Sequence, residues 1–272
     1  MVKGIEKFRE AMLPYKNHFV IIGGTACDIR LTGSTMIPRA TVDIDIIVVV
    51  EKMSQAFVDA FWAFIKAGNY RIERRVNQAG NSVYALYRFI LQGENFEYPQ
   101  QIELLSRHSD LLGEPSGFHI EPLPTDEDHQ SLSAIIMDDI YYDFTVQQVD
   151  NNDINELNIA NNLSLIALKT NAYLNLLADK NAGKHVNSND IKKHRSDVLK
   201  LVAAGSYPEV VAVNQKIYDR VIEFVEQVQD KTNSLAAALG TTEEIVQSYL
   251  SVLRSEIFKP QAGNSNSSPF YI

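Results

Sequence analysis

The segment Val42-Asp43-Ile44-Asp45-Ile46-Ile47-Val48-Val49-Val50 constrains this chain more than any other. Its β-branched run predicts a buried strand. Side chains alternate along a strand, so Asp43 and Asp45 share one face, about 7 Å apart, while Ile44, Ile46 and Val48 take the other. Two carboxylates on an otherwise apolar strand repel each other and resist desolvation. Either both lie at a strand end in water, or a divalent cation relieves them. Hard oxygen ligands at that spacing suit Mg²⁺.

The segments around it set the fold class. Phe19–Ile22 is a second apolar strand, ending at Gly23-Gly24, and Thr25–Leu31 can form a helix that stops at Gly33. Thr32–Arg39 reads as a loop. Helices are expected over residues 5–13 and 53–67. Further strands are expected at Tyr70–Arg74, Ser82–Leu91, Gln101–Ser106 and Ile140–Val149. From Leu157 to Phe258 the apolar spacing is helical nearly throughout, with one helix running Val211 to Val228 and another starting at Thr241-Thr242-Glu243-Glu244. The expected fold is therefore α+β: a mixed sheet flanked by helices in residues 1–155, a helical domain over 156–260, and a polar Ser/Asn-rich tail over 261–272.

Composition narrows the function classes. The 272 residues are 45% apolar, enough for a sizeable core, and the net charge of −9 argues against a general nucleic-acid coat or a polybasic membrane protein. The single cysteine, Cys27, excludes an internal disulfide and a cysteine-built zinc site. The charged N-terminus lacks an apolar signal core, and no apolar run can span a bilayer. The expectation is a cytoplasmic protein with no membrane association.

Two short features add chemistry to the Asp pair. Gly23-Gly24-Thr25 leaves a strand and opens a helix, where glycines admit a phosphate to the backbone and the helix N-terminus and Thr25 can donate to it; a plain turn is the alternative. In Ile102-Glu103-Leu104, one acid sits within a second apolar strand. If that strand lies beside Val42–Val50, Glu103 completes a trio of carboxylates able to hold one or two Mg²⁺ ions for phosphoryl or nucleotidyl transfer. Residues 169–200 carry seven basic side chains against three acids, a local positive patch suited to a triphosphate or nucleic acid, or else a solvated face of paired charges.

Taken in order, these motifs resemble the polymerase-β-like nucleotidyltransferase superfamily. Two later stretches, Leu165 to Tyr173 around Lys169 and Asp190 to Val198 around Lys193-x-x-x-Asp197, narrow the resemblance to the AbiEii-type nucleotidyltransferases. These are toxin-like components of abortive-infection, type IV toxin–antitoxin systems. The resemblance covers about residues 18–205. The interval from Gly24 to Asp43 is longer than the usual spacing, and Glu103 stands where Asp is commoner.

The resemblance implies roles. Gly23, Gly24 and Thr25 would hold nucleotide phosphates. Asp43, Asp45 and Glu103 would bind Mg²⁺, with Glu103 a ligand or the base for an acceptor hydroxyl. Lys169 would neutralise the triphosphate of an NTP, and Lys193 and Asp197 match the last motif, Asp197 as a second base or as orienter of a lysine. His194 is expected to be a structural partner of Asp197. Arg39 and Arg107 are either phosphate-reaching or plain surface arginines, and Tyr141 and Tyr142 are either core or a stacking pair for a base. The acceptor is RNA such as a tRNA end, a protein, or a small molecule as in antibiotic-type enzymes, and a cognate antitoxin is the implied protein partner. The other reading is a non-catalytic nucleotide- or partner-binding member of the fold.

Overall fold

The computed structural model describes residues 3–76, 82–107, 120–122, 133–150 and 156–261. The first half opens with α1 (Ile5–Met12), β1 (Phe19–Ile22), α2 (Gly23–Leu31), β2 (Asp43–Val48) and α3 (Gln55–Ala67). β3 (Tyr70–Val76), β4 (Ser82–Leu91), β5 (Gln101–Ser106), β6 (Ile120–Pro122) and β7 (Ser133–Ile136) follow, then α4 (Asp139–Gln147), β8 (Val149–Asp150) and β9 (Ile159–Ala160). The rest is α5 (Asn162–Asn181), α6 (Ser188–Ala204), β10 (Val211–Val213), α7 (Gln215–Val228), α8 (Thr232–Leu239), α9 (Glu243–Ser255) and β11 (Phe258–Pro260). No helix among the described residues is long and apolar enough to cross a membrane.

The chain is thus α+β, with a mixed sheet flanked by helices and a run of further helices. The sheet order is β3-β4-β5-β2-β1-β9-β8, with β7 also on β5 and β6 on β7. β2 runs antiparallel to β1 and parallel to β5, placing Asp45 opposite both Ile22 and Glu103. Every residue of β1 is buried, whereas β5 alternates, with Ile102, Leu104 and Ser106 inward. The face of Ile102 and its β4 partner Phe89 is covered by α3, whose Phe61 ring lies 5.4 Å from Phe89. By alternation, Arg88, Glu103 and Asp45 lie on the opposite face, toward α2, α5 and α6.

The core is one contiguous buried cluster that runs from Phe8, Phe19 and Phe57 in the first half to Tyr173, Leu199 and Phe224 in the second. The sheet itself draws strands from both sides of residue 155, because β9 pairs in parallel with β1 at Ile21↔Ile159. Arg30 of α2 fixes that edge: its guanidinium donates to the Ala160 and Ile159 carbonyls at 3.0 and 3.1 Å, and to Asp150 at 3.0 Å.

Two expectations are corrected. The expected strand over Ile140–Val149 is a helix up to Gln147 and meets a strand only at Val149: Asp138 caps α4 by accepting from the Ile140 N–H, and the buried positions Tyr141, Tyr142 and Thr145 follow a helical spacing. Val211–Val213 is not the start of a helix but a strand parallel to Phe258–Pro260. α7 begins only after Asn214, which accepts from the Lys216 N–H. The tail beyond Gln261 lies outside the described residues.

Candidate functional site

The site begins where β1 ends. Gly23 has φ +71°, and a Cβ there would overlap the Asp45 carboxylate. A Cβ on Gly24 would stand 2.8 Å from Thr41 Oγ1. The two glycines therefore let the first turn of α2 lie directly against β2. Thr25 is fully buried and its hydroxyl donates to the Asp43 carbonyl, so its side chain anchors α2 to β2 instead of facing a ligand.

Beside this turn lies a cavity of about 460 Å³. Gly23, Gly24, Asp45, Glu103, Lys169 and Lys193 all line it, so the fold brings most of the expected residues to one place. The lining also includes residues that sequence reasoning did not assign to a site, namely Asp138, the cap of α4, and Asn171 and Asn175 of α5, and it includes Tyr141, one of the two tyrosines read as core or as a stacking pair. Tyr141 is a cavity residue as well as a core one, and burial pushes its hydroxyl up to about 12. Its neighbour Tyr142 is structural: its hydroxyl accepts from the Val50 N–H and donates to Glu51.

The three acids share a sheet face but not a common set of contacts. Asp45 and Glu103 are direct neighbours across parallel strands. Burial, then the charge of Glu103, push the Asp45 carboxyl up to about 6. Asp43, two residues earlier and half-buried, is also raised by burial, against the pull of Lys193, Arg39 and Arg88. Glu103 is turned toward β4, where Arg88 donates to its Oε1 from Nη2 at 2.5 Å and from Nε at 3.0 Å. Accordingly, no group of three His, Cys, Asp or Glu side chains among the described residues is arranged to hold a metal ion. The donor chemistry of Asp43 and Asp45 suits a hard cation. Glu103 joins that set only if Arg88 releases it.

Lys169 and Asp197 form a buried pair, 3.1 Å apart and each 5% exposed at the side chain. Burial opposes the Lys169 charge, but Cys27 and Asp197 outweigh it and hold its pKa above the ordinary value. Arg39 reaches from the loop to 3.7 Å from the same Asp197 oxygen. Asp197 is therefore buried against Lys169 and not open to solvent. His194 also lines the cavity, and burial, with the charges of Lys169 and Lys193, drives its pKa down to about 3. It is a neutral imidazole there.

The remaining candidates are satisfied elsewhere. Arg107 pairs with Glu51 and with Asp143 at 3.1 Å, and stacks over Tyr142. Lys184 pairs with Asp179 at 2.7 Å, Lys180 donates to Ser188 at 3.0 Å, and Lys200 donates to the Ile37 carbonyl at 2.8 Å. Much of the basic run is thus a paired helix surface, and Lys169 and Lys193 are its members at the cavity. No family model, curated protein or solved structure matches the chain.

Proposed function

We propose that this protein is a Mg²⁺-dependent nucleotidyltransferase of the AbiEii type. It would move a nucleoside monophosphate from an NTP to an acceptor hydroxyl on RNA such as a tRNA, or on a protein, releasing pyrophosphate, as a toxin-like component held by a cognate antitoxin. One observation carries this reading: Asp45 stands in register with Glu103, against the positive-φ Gly23 turn, on a cavity of about 460 Å³.

The roles follow from position. The free N–H groups of the first turn of α2 would receive the phosphates. Lys193 and Lys169 supply positive charge from the facing helices, and Asp197 holds Lys169 in place. Asp43 and Asp45 would hold Mg²⁺, whose contribution is charge neutralisation and Lewis acidity at the triphosphate. Glu103, once free of Arg88, would accept the proton of the acceptor hydroxyl at a carboxylate oxygen. The acceleration would come mainly from positioning and fixed charge.

The test is direct. Incubation with each labelled NTP, Mg²⁺ and total tRNA should label one class of acceptor. The double variant Asp43→Asn/Asp45→Asn should lose that labelling by at least about a hundredfold. Unchanged labelling in the double variant would refute the proposal.

A second reading is favoured by the Arg88–Glu103 pair, which withdraws the third acid: a module that binds nucleotide without turnover. Thermal-shift titration separates the two. Stabilisation by NTP that ignores Mg²⁺, with no labelled product, supports the binding module.

A further inference from the structure

A row of residues crosses the sheet at one level. Arg88 of β4 stands opposite Glu103 of β5, Glu103 opposite Asp45 of β2, and Asp45 opposite Ile22 of β1, where the Gly23 turn begins. Glu103 therefore has a cation on one neighbouring strand and an anion on the other, each strand about 4.8 Å away. It leans to the cation: Arg88 donates from Nη2 and from Nε to the same oxygen, Oε1. Charge-assisted bonds of this kind are strong enough to choose the direction of a carboxylate. The charge of Arg88 also bears on Asp43. The pair is not sealed in. The Arg88 and Glu103 side chains are 27% and 16% exposed, so a change of partner needs no opening of the core.

Glu103 cannot lean both ways. A divalent cation shared by Asp45 and Glu103 needs the Glu103 carboxylate turned toward β2 and off Arg88. A guanidinium stays protonated throughout the ordinary pH range, so Arg88 cannot yield by titration. Displaced without compensation, its charge would stand beside the incoming cation, and the two repel. A polyphosphate entering with the cation removes that penalty. It brings more negative charge than one divalent ion cancels, and its oxygens match the planar fork of an arginine.

We propose that Arg88 exchanges partners when the site is loaded: it holds Glu103 in the free protein, and passes it to a divalent cation only when a polyphosphate arrives to take the place of Glu103 on the guanidinium. Cation and polyphosphate then bind cooperatively, and Arg88 is the residue that couples them. This inference rests on the nucleotidyltransferase reading of the cavity and adds how its metal and triphosphate are made to enter together.

The test measures binding, not turnover. Arg88→Gln separates the two halves of the exchange. Binding of Mn²⁺ alone, followed by electron paramagnetic resonance, should tighten about tenfold, because the rival for Glu103 is gone. Binding of inorganic tripolyphosphate at saturating Mg²⁺, followed by calorimetry, should weaken about tenfold, because the phosphate partner is gone as well. Arg88→Lys keeps the charge but loses the fork, and should move both affinities in the same directions by less. Circular dichroism and Tm verify folding, and the signs for Arg88→Lys decide the matter should Arg88→Gln not fold. A merely structural role for Arg88 would weaken both ligands. Any outcome in which the two affinities do not move in opposite directions overturns the exchange, and binding of Mg²⁺–tripolyphosphate by the wild type leaves the nucleotidyltransferase proposal standing. Failure of the wild type to bind Mg²⁺–tripolyphosphate overturns both.

Discussion

A carboxylate wedged between a glycine turn and a second acid is ionised at a cost, and Asp45 shows how large a constraint that is. Its folded pKa of about 6 lies above the ordinary 3.8, because burial and then Glu103 disfavour the anion. Its contribution to stability is therefore fully present below about pH 3.8 and is lost as the pH rises through about 6. His194 runs the other way. Its pKa is lowered to about 3 from 6.5, so its contribution is present above about 6.5 and is lost as the pH falls. The raw pH profile mixes the two, but the difference between wild type and Asp45→Asn isolates the first. In the absence of divalent cation, Asp45→Asn should raise Tm at about pH 7.5, with a gain that shrinks toward pH 4. A Tm below wild type at both pH values would contradict this account. The Asp pair was legible in the sequence, because a period of two puts Asp43 and Asp45 on one face of a single strand, whereas the place of Glu103 beside them depends on the parallel register of β5 on β2. Arg88 was not, because its meeting with Glu103 depends on the antiparallel register of β4 on β5. Thr25 was misjudged for a related reason: its hydroxyl is claimed by the Asp43 carbonyl, a contact between segments 18 residues apart.

Among the elements, β1 was readable as a continuous apolar run and β2 and β5 by the alternation of their buried positions. α4 was not, because Ile140 to Val149 mixes aromatic and β-branched residues that fit a strand by propensity, and only the Asp138 cap and the packed spacing make it a helix. Two- and three-residue strands such as β8, β9 and β10 are too short to leave a periodic signal. One of the two roles expected for Asp197 was to orient a lysine, and the lysine it meets is Lys169 across the α5–α6 contact, which the sequence did not single out from Lys193. Lys169 is 4% exposed and Asp197 3%. Removing one partner leaves a buried charge without its counterion. Asp197→Asn should therefore lower stability by roughly 3 kcal/mol in urea denaturation, and Lys169→Met/Asp197→Leu should recover most of the loss. If Asp197 served catalysis alone, the single variant would lose labelling with its urea midpoint unchanged.

At the scale of the whole molecule, the cavity exists because the helices after residue 161 close over the acid-bearing face of the sheet. Gly23, Asp45 and Glu103 come from the sheet side, and Lys169, Asn171 and Lys193 from α5 and α6. The two sides are tied by β9 in the sheet, by the Arg30 fork on its carbonyls, and by one uninterrupted core. Separating them would expose the β1 edge and the apolar stripes of α5 and α6 together, so neither half has a folded state that leaves the other intact. The sequence offers a means to test this. Its one tryptophan, Trp62, is buried in α3 against Phe89, so its fluorescence reports on the first half. Far-ultraviolet circular dichroism is dominated by the helices of the second half, since α5, α6, α7 and α9 are among the longest. Under urea, the two signals should change with the same midpoint and the same slope. If the fluorescence transition preceded the loss of helix by a resolvable interval, the halves would be independent units. The cavity between them would then be a docking interface and not a product of one folding event.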